Sequence, residues 1–117
     1  MKLINWHLFN NQTIEIKNNA VITGENGTGK STLLDALQYI LTAGKAKFNS
    51  AANDSGKRNI EGYIRGKLGR EGKEYLRMGD VVSYIVLEYF DETTKRSQLL
   101  GVVLELSKSN IKKELFF

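Results

Sequence analysis

The chain has 117 residues, with 17 Lys and Arg against 13 Asp and Glu, no cysteine, no proline and a single histidine. That length suits about one small domain with a core of its own, and the missing thiols exclude a disulfide framework or a thiolate metal site. His7 cannot build a metal cluster alone and reads as packed or strand-edge, and no apolar run approaches the ~20 residues that span a bilayer. Residues 1–9 are interrupted by Asn5 and His7 and lead to no small-residue cleavage site, so they are not a signal peptide and a cytoplasmic protein is expected.

In chain order, residues 2–9 and 13–17 read as two strands joined by a turn at Asn10-Asn11-Gln12, since Asn suits tight turns. Ile14 and Ile16 alternate with Thr13, Glu15 and Lys17, the period of a half-buried strand. Trp6 and Phe9 admit two readings, an adenine-stacking platform or core aromatics, and large aromatics chiefly supply buried area. Asn18-Asn19 marks a second turn, and Asn19-Ala20-Val21-Ile22-Thr23 is a short apolar run of strand type. Leu33, Leu34, Leu37, Ile40 and Leu41 then recur at helical spacing, predicting a helix over about 29–42 that Gly44 stops. Asp35 falls on this helix, where a solvated face is the plainer reading and a role in orienting loop groups the other.

Between that strand and that helix lies Gly24-Glu25-Asn26-Gly27-Thr28-Gly29-Lys30-Ser31, which fits the phosphate-loop pattern G-x-x-x-x-G-K-[ST] at every fixed position. The residue types follow from the chemistry. Gly24, Gly27 and Gly29 let the backbone turn tightly and bring N–H groups around an anion, and the helix N-terminus adds its dipole there. Lys30 can reach the β- and γ-phosphates and Ser31 offers a hydroxyl to Mg²⁺. Thr32 would sit behind, over the α-phosphate. ATP and Mg²⁺ are therefore the expected cofactors, held by Gly24, Glu25, Asn26, Gly27, Thr28, Gly29, Lys30, Ser31 and Thr32.

Residues 45–79 are the least regular part, yet Ile60, Tyr63, Ile64 and Leu68 keep helical spacing and predict a short amphipathic helix between Ser55 and Gly69. Residues 45–77 hold nine Lys or Arg against four Asp or Glu, so the basicity is local and points to an anionic partner. Lys57, Arg58, Arg65, Lys67, Arg70, Lys73 and Arg77 can neutralise DNA phosphates or touch nucleotide phosphate; a solvated charged loop is the alternative. Residues 81–90 and 97–106 read as a hairpin of long strands around 91–96. Val81-Val82 and Ile85-Val86-Leu87 are apolar at consecutive positions, which predicts cover on both faces of the first strand. A last strand is expected from about Lys112, ending in Leu115-Phe116-Phe117, an apolar finish that looks like a cut inside a domain.

The GENGTGKST run, preceded by a hairpin carrying Phe9-Asn10-Asn11 and followed by Leu33-Leu34-Asp35-Ala36-Leu37, resembles the N-terminal half of ATPase heads in the SMC, RecF and related DNA-repair families. Residues 59–69 and the hairpin over 80–106 look most like the condensin-like MukB and JetC branch, the latter from Wadjet plasmid-defence systems. The resemblance implies an α/β fold: the N-terminal lobe of a P-loop NTPase (ABC/SMC) head, spanning 1–117, with a largely antiparallel sheet containing the phosphate-loop strand, one main helix, and a basic insertion at 45–79. It implies ATP sandwiched between two heads, a C-terminal lobe supplying the Walker B Asp, catalytic Glu and signature Ser-Gly motif, and DNA as a partner, with no membrane. None of those C-terminal motifs occurs here: Val86-Leu87-Glu88 lacks the preceding Asp, so no catalytic residue is assigned. Gln98 is similar in kind to the Mg²⁺-contacting glutamine of such heads. Two other functions compete. One is a nucleic-acid-binding module working through 45–77. The other is a kinase-type phosphotransferase, for which no lid arginines or acceptor site are evident.

Overall fold

The computed structural model describes residues 1–16, 21, 23, 29–45, 60–68, 74–108 and 110–117. The strands β1 (Lys2–Trp6), β2 (Phe9–Thr13), β5 (Val81–Asp91), β6 (Arg96–Ser107) and β7 (Asn110–Phe116) form one sheet in the order β2-β1-β5-β6-β7. Every pairing within it is antiparallel. Helices α1 (Lys30–Leu41) and α2 (Ile60–Arg65) pack against this sheet, and a small ribbon pairs β3 (Lys67–Leu68) with β4 (Glu74–Tyr75).

The long hairpin forms where its two apolar runs around a polar turn predict it, with Asp91 opposite Arg96 across the turn. Its period of two decides the core: Val81, Ser83 and Ile85 face inward with Val102, Leu104 and Leu106, in register as three cross-strand pairs. Only that face is fully covered. On the opposite face Val82 is exposed and Tyr84 and Val86 are half-buried, so the expected burial of both faces is corrected: the helices cover one side of an antiparallel sheet and leave the other partly to water. Buried Ser83 is satisfied by donating to the carbonyls of Ile4 at 3.0 Å and Asn5 at 2.8 Å.

The first hairpin turns earlier than the asparagines suggest. Its loop is His7-Leu8, and Asn10-Asn11-Gln12 lie inside β2. The cause is backbone conformation: Asn5 and His7 both take positive φ, 52° and 47°, which Asn and His tolerate better than most residues. Asn5 also breaks the alternation of β1, so that Leu3 and Trp6 both reach the core. There Trp6 stacks on Tyr63 with ring centroids 4.6 Å apart and leans on Tyr39 at 6.1 Å. The core reading of Trp6 holds; a fully buried indole is no open stacking platform. Burial raises the Tyr39 phenol above its ordinary pKa.

Helix α1 ends as expected, with Gly44 at φ 76° donating its N–H to the Tyr39 carbonyl at 2.8 Å. Its buried stripe, however, is Thr32, Asp35, Ala36, Tyr39 and Ile40, one residue out of phase with the leucine stripe. One residue is a rotation of about 100°, enough to leave Leu34 50% and Leu41 58% exposed. The helix turns this way because its polar positions are matched inside. Asp35, expected on a solvated face, is buried and accepts a hydrogen bond from the Tyr63 hydroxyl of α2. Tyr63→Phe removes that donor from a buried carboxylate and is expected to cost about 1–3 kcal/mol, read as a lower urea midpoint with an unchanged slope.

The phosphate-loop strand is not part of the sheet among the described residues. Val21 and Thr23 lie outside any strand and Val21 is 87% exposed, whereas a central strand of that kind is covered on both faces. Asn18, Asn19, Ala20 and Ile22 lie outside the described residues. No described helix is long and apolar enough to cross a membrane.

Candidate phosphate-binding site

Of the nine residues expected to hold nucleotide, Gly29, Lys30, Ser31 and Thr32 are described, and Gly24, Glu25, Asn26, Gly27 and Thr28 lie outside the described residues. Gly29 is the N-cap of α1, at φ 98° and ψ 10°, and its carbonyl accepts the first helical hydrogen bond from Leu33 at 2.9 Å. Glycine is required there for two reasons. An L side chain pays for a left-handed backbone, and a Cβ at this position would stand 3.2 Å from the Phe9 ring. Gly29→Ala is therefore expected to cost about 1–2 kcal/mol of stability, measured by chemical unfolding.

Lys30 is the first residue of the helix and half-buried, Ser31 follows it exposed, and the first turn holds no acidic residue. That is an adverse placement on helix electrostatics alone, since cations are disfavoured and anions favoured at the positive end of the dipole. Lysine beside unspent helix N–H groups suits a bound anion. Thr32 is buried, and its carbonyl accepts from the Trp6 indole N–H at 3.1 Å. The start of α1 is thus fixed from below by Trp6 and from the side by Phe9, both on the first hairpin.

The basic cluster divides differently from its sequence grouping. Arg77 is half-buried and turned back onto the chain. Its guanidinium donates to Asn5 Oδ1 at 3.0 Å, to the carbonyls of His7, Ile64 and Phe9 at 2.9, 3.1 and 3.3 Å, and to Asn10 Oδ1 at 2.6 Å. Burial lowers its pKa below the ordinary arginine value. Arg65 pairs with Glu61 at 3.4 Å with its side chain 11% exposed, and donates to the carbonyls of Gly79 at 2.8 Å and Arg77 at 3.4 Å. Lys67 is placed by its backbone opposite Tyr75; Lys57, Arg58, Arg70 and Lys73 lie outside the described residues. Gln98 stands across β5–β6 from Tyr89, whose hydroxyl donates to its Oε1 at 2.8 Å.

The arginine clasp was legible in neither spacing nor charge; its one signal is that Arg77 follows a short ribbon that returns the chain to the first hairpin. Comparison with family models finds a match to the P-loop containing region of AAA domain over residues 1–55. The matched span contains the first hairpin, the Gly24 to Ser31 motif and α1. Comparison with curated proteins and with solved structures finds no match. The family match supports a P-loop ATPase region and nucleotide binding in this part of the chain.

Proposed function

We propose that residues 24–32 bind Mg-ATP and that 1–117 is the N-terminal lobe of an SMC-like ATPase head, closest to the MukB and JetC branch and acting on DNA in chromosome maintenance, repair or plasmid defence. The observation that carries the nucleotide reading is the family match over 1–55 together with Lys30 and Ser31 on the first turn of α1 behind a left-handed Gly29. Gly24 to Gly29 would supply backbone N–H groups to the phosphates, Lys30 an ammonium to their outer oxygens, and Ser31 a hydroxyl to the magnesium ion. The residues fit that cargo because the helix start offers donors and a cation and no competing carboxylate.

Phosphoryl transfer rests mostly on positioning and charge stabilisation. This chain supplies the positioning half and has no residue assigned to activate water, so binding with negligible turnover is the reading for the chain by itself. The exposed Leu34 and Leu41 on the outer side of α1 agree with a head whose second lobe covers that face. Titration calorimetry with Mg-ATP tests the proposal: saturable binding supports it, and its absence rejects it. The competing nucleic-acid module loses ground because Arg65 and Arg77 are committed within the chain. Salt-dependent DNA retention that is lost on neutralising Lys57, Arg58, Lys67 and Arg70, but kept in Lys30→Ala, would restore it.

A further inference from the structure

The first hairpin sets two aromatic rings against the start of α1. Trp6 and Phe9 stand directly opposite each other across β1 and β2, and residues so paired project to one face of the sheet. Trp6 donates its indole N–H to the Thr32 carbonyl at 3.1 Å. The Phe9 ring lies against Gly29, so close that its Cζ and Cε2 would stand 3.2 and 3.6 Å from a Cβ there. Gly29 is the N-cap and Thr32 lies nearly one helical turn beyond it, so the opposed pair meets the helix at two successive levels. Phe9 is itself held in place. Its side chain is half-buried against the core, and its backbone carbonyl accepts from the Arg77 guanidinium at 3.3 Å.

We infer, on the basis of the phosphate-binding reading of this helix start, that Phe9 is a positioning residue of the site: its ring confines Gly29 to the left-handed conformation from which α1 meets the phosphates. A glycine that nothing confines visits both signs of φ about equally, whereas an anion-binding turn of backbone N–H groups needs one defined conformation. Gly29, at φ 98°, has no side chain with which to restrict itself. The restriction comes instead from the volume that the Phe9 ring fills beside it. Without the ring, the backbone of Gly29 has to be ordered at each binding event, which costs about tenfold in affinity. The effect falls on the phosphate chain of the ligand, because the ring touches the backbone that opens the helix.

Calorimetric titration of the 117-residue chain with Mg-ATP and, separately, with Mg-tripolyphosphate tests this. Phe9→Ala is expected to weaken both ligands by the same factor, about tenfold, under conditions where urea unfolding shows the variant fully folded. A ring that only supports the core would lower the urea midpoint and leave the affinity of the folded chain as it was. Phe9→Tyr covers the case in which the alanine variant does not fold: it keeps the ring, adds an oxygen at Cζ, the atom nearest to Gly29, and should also weaken both ligands. Gly29→Ala completes a double-mutant cycle. Alone it crowds the ring, but in the Phe9→Ala background its Cβ has room, so the combined loss should be smaller than the product of the two. Unchanged affinity in either Phe9 variant, or losses that simply multiply in the cycle, would overturn the inference. A loss confined to Mg-ATP would overturn it too and make the ring a base-stacking surface. Failure of the wild-type chain to bind either ligand would sink the phosphate reading itself, and this inference with it.

Discussion

Lys30→Ala is expected to abolish Mg-ATP binding while leaving the chain as stable as before or slightly more so. The two halves of that result have one cause. Lys30 opens α1 at the positive end of its dipole, with no acidic residue in the first turn, so the ammonium opposes the fold locally by about 0.3–1 kcal/mol. Alanine is also the better helix former. The same ammonium beside free helix N–H groups makes charge-assisted bonds to phosphate, and these are stronger than neutral ones. Calorimetric titration and urea unfolding of the same variant read both quantities. A drop in stability with a parallel drop in binding would make Lys30 a structural residue, and unchanged affinity would reject the site.

Arg77→Ala should have the opposite character, a large loss of stability. The planar fork of this one side chain joins β1, the His7 turn and β2 to the end of α2 through five acceptors. Truncation leaves the carbonyls of His7, Ile64 and Phe9 without that donor in a half-buried setting. Bonds to a charged donor contribute about 1.5–3 kcal/mol each and are not additive, so a total near 3–4 kcal/mol is expected, read as a lower denaturation midpoint. Arg77→Lys should recover only a small part, because an ammonium cannot reproduce the fork. A variant of wild-type stability would show that the clasp is incidental.

How much of this was legible beforehand depends on whether a local period or a distant partner decides each feature. The hairpin of β5 and β6 follows from two strand-type runs plus a polar turn, and it forms within a residue of its expected bounds. The phosphate-loop helix follows from the Gly-Lys-Ser junction and the Gly44 stop. Its buried face does not: leucines mark one stripe, but Trp6 and Tyr63 offer partners to Thr32 and Asp35, and the helix rotates to meet them. The first turn was misplaced because αL conformations at Asn5 and His7 override the pull of Asn10 and Asn11. Arg65 and Arg77 look like their neighbours in a count of charges, yet a guanidinium finds its acceptors only after the chain has folded back on itself. Of the strand expected at 19–23 only Val21 and Thr23 are described, and neither lies in a strand.

The bond from Trp6 to the Thr32 carbonyl has an experimental use. This is the only tryptophan in the sequence, and its indole N–H is tied to the first turn of α1. Any ligand that shifts that turn changes the polarity around one chromophore. Emission wavelength and quantum yield then become a label-free optical readout of site occupancy, with no competing fluorophore of the same kind.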